Sequence, residues 1–209
     1  MWRTTTVTLA VCMMAYLAGA WLTMDFRIWT AEGARRLAVV QSPVAAPEVS
    51  VHGPGLDASP MPALLSAGAG ATIMDFIYTR CVTVCSQLGG TFSRLQAAMQ
   101  ADSGHRGARV QLLSVSFDLT HDRAEVLKAY GAGLHADPRI WRFVVPTQAA
   151  GLHALLERYG VVVIPDGLGG YAHNAALLVL DRSGRLIQIY DYERYGDALA
   201  LARQLAAKR

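Results

Sequence analysis

Two cysteines four positions apart, Cys81 and Cys85, are the side chains in this sequence best placed to do chemistry. In an exported chain such a pair can be a short-loop disulfide, a redox dithiol or a metal-binding pair. A bridge spanning only Val82, Thr83 and Val84 would stabilise little, which favours the two chemical readings. The pair stands where an apolar run of strand length, Ala71 to Tyr78, gives way to a helical pattern through Leu88, Phe92, Leu95 and Met99. A strand-to-helix turn of that kind would put both sulfurs on one helical face, where the peptide dipoles favour thiolate. The three-residue spacer is wider than the two of common disulfide oxidoreductases and lets both sulfurs approach one ion.

Soft thiolates select Cu(I) and imidazole also suits Cu(II), so two thiolates and one histidine can hold copper in both oxidation states. Six histidines are available, and His173 has the best placement. It follows the Gly-rich turn of residues 165–170 and precedes a late apolar strand, so a loop can carry it to the cysteine edge of a sheet. His52, His105, His121, His135 and His153 have no such placement. A lone histidine before a strand is more often a surface or core residue than a ligand; the cysteine pair is what raises the standing of His173.

The elements that must position these groups are legible from periodicity. Arg109 to Phe117 reads as a second strand, Asp122 to Leu134 as a helix with Asp122 its cap, Ile140 to Val145 as a third strand and Ala149 to Tyr159 as a third helix. Val161 to Ile164 is a brief apolar run stopped by Pro165. Ala175 to Leu180 and Leu186 to Tyr190, joined by Asp181-Arg182-Ser183-Gly184, read as a hairpin, and Tyr195 to Lys208 as a closing helix. Successive βα units imply parallel strands, and with the terminal hairpin and helix they predict an α/β, thioredoxin-like fold on a central mixed sheet. Phe76, Tyr78, Trp141 and Phe143 are expected in its core.

Ahead of that domain the chain changes character. Residues 4–24 carry no charge, about 30 Å of helix at about 1.5 Å per residue, enough to cross a bilayer. A membrane anchor is the reading; a cleaved signal peptide ending at Ala18-Gly19-Ala20 is the alternative. Cys12, within this stretch, is read as a buried or lipid-facing residue, and Met13-Met14 as lipid-facing. Residues 25–36 alternate charge with Phe26, Ile28 and Trp29, as a helix continuing out of the bilayer into the interface would. Arg27, Arg35 and Arg36 follow the span and Arg3 precedes it, which runs against positive-inside counting for an exported domain, although long domains translocate despite flanking charge. Val40 to Pro62, with five prolines, reads as a linker. The expected organisation is therefore an anchor over 1–25, a juxtamembrane segment and linker over 26–62, and one domain over 63–209. The net charge of +3 comes from nineteen Lys and Arg scattered among sixteen acids, without a basic stripe, so nucleic acid is not an indicated partner.

Three blocks, DFIYTRCVTVCSQLGGTFSRLQ, LLSVSFDLTHDRAEVLKAYG and AHNAALLVLDRSGRLIQIY, resemble the diagnostic blocks of the SCO/SenC family, a likeness covering about residues 70 to 205. The resemblance implies one copper ion on Cys81, Cys85 and His173, with Asp118 as an outer carboxylate supporting the site. It also implies a membrane-tethered metallochaperone, more a copper carrier than an enzyme, that helps assemble the copper centre of cytochrome c oxidase subunit II. Its soluble domain would lie on the periplasmic side of a bacterial inner membrane. The chain departs from the family pattern in carrying Val82 and Ser86 where prolines are common, and in the short segment from Val163 to His173. The alternative is a thiol-disulfide oxidoreductase in which Cys81 attacks and Cys85 resolves; there His173 would be dispensable. A peroxidase-like reading needs an activating cation beside a low-pKa cysteine, for which Arg80 is the adjacent candidate.

Overall fold

The computed structural model describes residues 2–26, 28–67, 70–81, 84–101, 109–167 and 169–208; of residues 3 and 84–86 it describes the backbone. Two compact units are present, residues 1–41 and residues 42–209.

In the first unit, α1 (Trp2–Leu22) is exposed along its apolar length except at Gly19 and Ala20, which are half-buried. Its segment Thr4–Leu22 is long and apolar enough to cross a membrane. The helix does not continue outward. Met24, Asp25 and Phe26 all adopt left-handed backbone conformations (φ 47°, 59° and 60°), and a second helix, α2 (Ala31–Gln41), starts after the break. Non-glycine residues pay for that geometry with local bonds: the Asp25 N–H donates to the Ala20 carbonyl at 2.8 Å and the Phe26 N–H to Thr23 Oγ1 at 3.0 Å. The Phe26 ring packs between Tyr16 and Trp29, with centroids 5.3 and 5.9 Å away.

The second unit begins in the Pro-rich stretch, which is more structured than its composition suggests. It builds β1 (Val44–Ala45), β2 (Ser50–Gly53), β3 (Leu56–Pro60) and α3 (Met61–Ser66). β1 and β3 are the two outermost strands of the sheet, where proline is tolerated. The remaining elements are β4 (Ala71–Ile77), α4 (Val84–Ala101), β5 (Val110–Ser116), α5 (Ala124–Gly133), β6 (Trp141–Pro146), α6 (Ala149–Tyr159), β7 (Val163–Pro165), β8 (Tyr171–His173), β9 (Leu177–Asp181), β10 (Arg185–Tyr190) and α7 (Tyr195–Ala207).

The main sheet runs β1-β10-β9-β4-β5-β6-β2-β3. Strands β4, β5 and β6 are mutually parallel, and β9 joins β4 antiparallel with Ala71 opposite Asp181 and Met74 opposite Leu178. The centre is thus the mixed sheet expected. All seven residues of β4 are buried, as a strand covered on both faces requires. Ile73 and Ile77 on one of those faces join Leu88, Phe92 and Leu95 of α4 and Ala198 and Ala202 of α7 in the main core. Trp141 closes that core at β6: its ring lies against Phe92 and Phe143, and its Nε1–H donates to Ser114 Oγ at 2.9 Å. β7 and β8 stand apart as a separate two-stranded antiparallel ribbon, Val163 opposite His173.

Candidate metal centre

The C-terminal ends of β4 and β5 carry the polar groups of interest. β4 ends at Ile77, and the chain passes through Tyr78, Thr79 and Arg80 to Cys81 before α4 begins at Val84. Cys81 is half-buried and lies in this loop, not in the helix, so the expectation of two sulfurs on one helical face is not met. Only Cys85 falls in the first turn of α4, and its side chain lies outside the described residues, as does Val82.

The loop is held from the β5–α5 side by two aspartates. Asp118 is almost wholly buried and accepts a hydrogen bond from the Arg80 guanidinium at 2.7 Å. Burial alone would raise its pKa, but the hydrogen bonds from Thr120 and Arg80 and the guanidinium charge outweigh burial and hold the carboxyl below its ordinary value. Asp118 thus supports the residue next to Cys81, and Arg80, the cation that a peroxidase-like site would need beside the thiol, is already committed to a carboxylate. Asp122 does not cap α5. The residue at the cap position is Arg123, with no side-chain capping bond, while the Asp122 carboxylate turns inward to accept from the Thr79 N–H at 3.0 Å, the Thr79 hydroxyl and the Ser116 hydroxyl at 2.6 Å.

His173 is on strand β8 rather than in a loop. Its ring lies edge-on to Phe117, centroids 5.2 Å apart, and its Nε2 is 3.1 Å from the Phe76 carbonyl oxygen. A carbonyl can only accept, so Nε2 carries the proton in this contact and the lone pair stands on Nδ1. Burial lowers the pKa of the imidazole, partly offset by the bond to Phe76. The ring is therefore neutral at physiological pH, the form that binds metals.

The ribbon bearing His173 is tied to the cysteine loop through Tyr78. The Tyr78 hydroxyl accepts from the Tyr171 N–H at 3.2 Å, and the rings of Tyr78, Phe117 and Tyr171 pack with centroids 5.2 to 5.5 Å apart. At the turn of the ribbon the Gly170 N–H donates to Asp166 Oδ1, with Gly167 and Gly169 in the left-handed region (φ 74° and 88°). At its base the Asn174 amide bridges the Val162 N–H and the Gly160 carbonyl. His173, Asp118 and the Cys81 loop thus gather around Phe117 and Tyr78 at one end of the sheet. Among the described residues no three His, Cys, Asp or Glu side chains close on a single point, and the side chain of Cys85 is not among those described. The donor set fits a soft ion nonetheless: sulfur on the loop and a neutral imidazole on the ribbon tied to that loop through Tyr78.

Asp75, on β4 six residues before Cys81, belongs to no motif in the sequence. It is fully buried opposite Ser114 of β5, one carboxyl oxygen has no hydrogen-bond partner among the described residues, and burial drives its pKa up to about 7 against the weaker opposing pull of Ser114. A charged residue in a strand otherwise reading as core has no local signature that separates a buried from a surface position.

A parallel β4–β5–β6 core with an antiparallel β9–β10 hairpin and packing helices, with a cysteine at the end of the first central strand, defines a thioredoxin-like protein. The sequence profile described as SCO1/SenC matches residues 67–207, and the chain belongs to that family. The SCO1 protein homolog of Bacillus subtilis is 23% identical over 121 residues, 57% of this chain and 61% of that protein, so the chain spans under two thirds of that curated relative. Among solved structures, BsSco, a member of the Sco family of cytochrome c oxidase assembly proteins, superposes with a TM-score of 0.68 at 16% identity, covering 80% of this chain and 96% of that one. ScoI of Bradyrhizobium japonicum, solved with copper bound, gives a TM-score of 0.60 at 21% identity, covering 77% and 99%.

Proposed function

We propose that this chain is a membrane-tethered copper metallochaperone that carries one copper ion on Cys81, Cys85 and His173 and delivers it during assembly of a cytochrome c oxidase, with the copper centre of subunit II as acceptor. Support comes first from one observation: a neutral, half-buried imidazole whose ring packs on Phe117 at the strand ends that also carry the Cys81 loop. Family membership and the copper held by the B. japonicum relative point the same way. The α1 helix serves as the anchor, with the domain on the extracytoplasmic side.

The copper is cargo, and this chain's residues hold and release it. Each thiol gives up its proton to present a thiolate. His173 offers the Nδ1 lone pair while its Nε2–H stays on the Phe76 carbonyl, which sets the ring plane. Tyr78 and Asn174 hold the ribbon that carries the imidazole. An acceptor with more or better-placed ligands then draws the ion away by ligand exchange. The test is copper stoichiometry and the Cu(II)-thiolate absorption band in the reduced, metal-free protein and in His173→Ala. One ion per chain in the parent and its loss in the variant is expected. No copper in either, with Cys81 and Cys85 still exchanging disulfides, would replace this reading by the thiol-disulfide oxidoreductase.

A further inference from the structure

β4 leaves the sheet at Ile77, so the Thr79 N–H has no ladder partner and needs an acceptor of another kind. Asp122 supplies it. Its buried carboxylate takes the Thr79 N–H and hydroxyl together, and the same group takes the Ser116 hydroxyl at the end of β5. One carboxylate therefore staples the loop after β4 to the strand beside it. Four residues earlier in the same β5–α5 loop, Asp118 holds Arg80, and its backbone carbonyl accepts from the Asp122 N–H at 2.8 Å, so the two acids are braced against each other. Thr79 and Arg80 are both gripped, and Cys81 is the first residue beyond the grip.

We propose that Asp122 is a positioning residue for Cys81: through Thr79 it fixes where the loop delivers the sulfur, and so how well the sulfur meets an ion shared with the other ligands. This rests on the copper reading given above. Aspartate suits the role because a carboxylate offers acceptors on both oxygens and no donor, matching three donors that converge from two elements. Asparagine, of the same shape, would turn an amide N–H toward one of those donors.

The experiment uses the full chain in zwitterionic lipid nanodiscs, comparing the parent with Asp122→Asn, Thr79→Val, Thr79→Ser and the double variant Asp122→Asn/Thr79→Val. Cu(I) affinity is read by competition with a chromophoric chelator. The alkylation rate of Cys81 is read separately, in a background carrying Cys12→Ser and Cys85→Ser. Asp122→Asn and Thr79→Val should each weaken copper binding by about tenfold, the lower end of what loss of an outer-shell partner brings. The double variant should be no worse than the weaker single one, because both remove one shared interaction. Thr79→Ser should match the parent, and alkylation of Cys81 should accelerate in Asp122→Asn, Thr79→Val and the double variant but not in Thr79→Ser. If Asp122→Asn fails to fold, the Thr79→Val and Thr79→Ser pair carries the same comparison. Parent-like affinity and parent-like alkylation in Thr79→Val and Asp122→Asn, even with a lowered melting temperature, would overturn the positioning role. A parent that binds no copper while the variants still alkylate faster would remove the copper reading and leave the role of Asp122 standing.

Discussion

Replacing Asp75 by asparagine should change the pH dependence of stability in a direction fixed by burial. In the folded chain the carboxyl has its pKa raised from 3.8 to about 7, so between those values the folded state binds a proton that the unfolded state has released. Stability contributed by this proton is fully present in acid and is lost as pH rises through about 4 to 7, levelling off above. At about 1.4 kcal/mol per tenfold change in proton affinity, holding Asp75 ionised inside the sheet costs about 4 kcal/mol at pH 8. Asparagine keeps the shape and a polar group for Ser114 but has nothing to ionise. The assay is urea unfolding of residues 42–209, which contain the whole sheet and its core, at half-unit steps of pH for parent and Asp75→Asn. Subtracting the two profiles cancels every group they share. The variant should gain on the parent steadily across the window, up to about 4 kcal/mol at its alkaline end and about nothing at its acid end. A difference that stays flat from pH 4 to 8 would mean that Asp75 ionises as readily in the fold as in the open chain, and the reasoning from burial would fail.

Acid should loosen the His173 ribbon: burial lowers the folded-state pKa of this histidine, so stability it contributes is lost as pH falls below the ordinary imidazole value, a slope that His173→Gln should flatten in the same unfolding series. Removing the Tyr78 hydroxyl as Tyr78→Phe leaves the Tyr171 N–H without that acceptor and should cost about 1 kcal/mol, with a drop in copper affinity detectable by chelator competition. Gly53→Ala should destabilise by about 3 kcal/mol or more in urea titrations, because the new Cβ would meet the backbone of Phe143 in β6 and neither strand can yield without losing pairing. Trp141→Phe, which forfeits the bond to Ser114 and part of a fully buried ring, should cost about 2 kcal/mol by the same titration.

Periodicity carried most of the fold because the elements obey it: β4, β6, α6 and the β9–β10 hairpin fall within a residue or two of where apolar spacing puts them, and α4 contains the whole apolar pattern from Leu88 to Met99. The strands inside the Pro-rich stretch escaped because they are short and lie towards one side or the other of the sheet, where pairing with β10 or β6 decides what local propensity cannot. The break after α1 escaped for a different reason, since left-handed Met24, Asp25 and Phe26 have none of the glycine that usually announces such a turn. Of the proposed ligands, Cys81 and Cys85 stand out by type and spacing and His173 by its place between the Gly-rich turn and a late strand, a choice that the family likeness reinforces. Asp122 reads as a cap because an aspartate just before a helix satisfies the capping pattern equally well; only the tertiary approach of Thr79 decides which donor it serves. Asp75 carried no pattern at all.

The strand order also sets a timetable for synthesis. β4 emerges early, yet one of its two neighbours, β9, is about a hundred residues downstream, and the ribbon bearing His173 comes only just before it. A nascent chain therefore exposes Cys81 and Cys85 well before the strand that completes the central ladder, or the imidazole proposed as their co-ligand, has been made. Pairings this distant in sequence form slowly. During that interval the thiols face whatever oxidant the compartment holds without the shelter of the finished fold. Under the copper reading proposed above, keeping them reduced until residue 173 arrives is a requirement that the topology places on the cell rather than on the folded molecule.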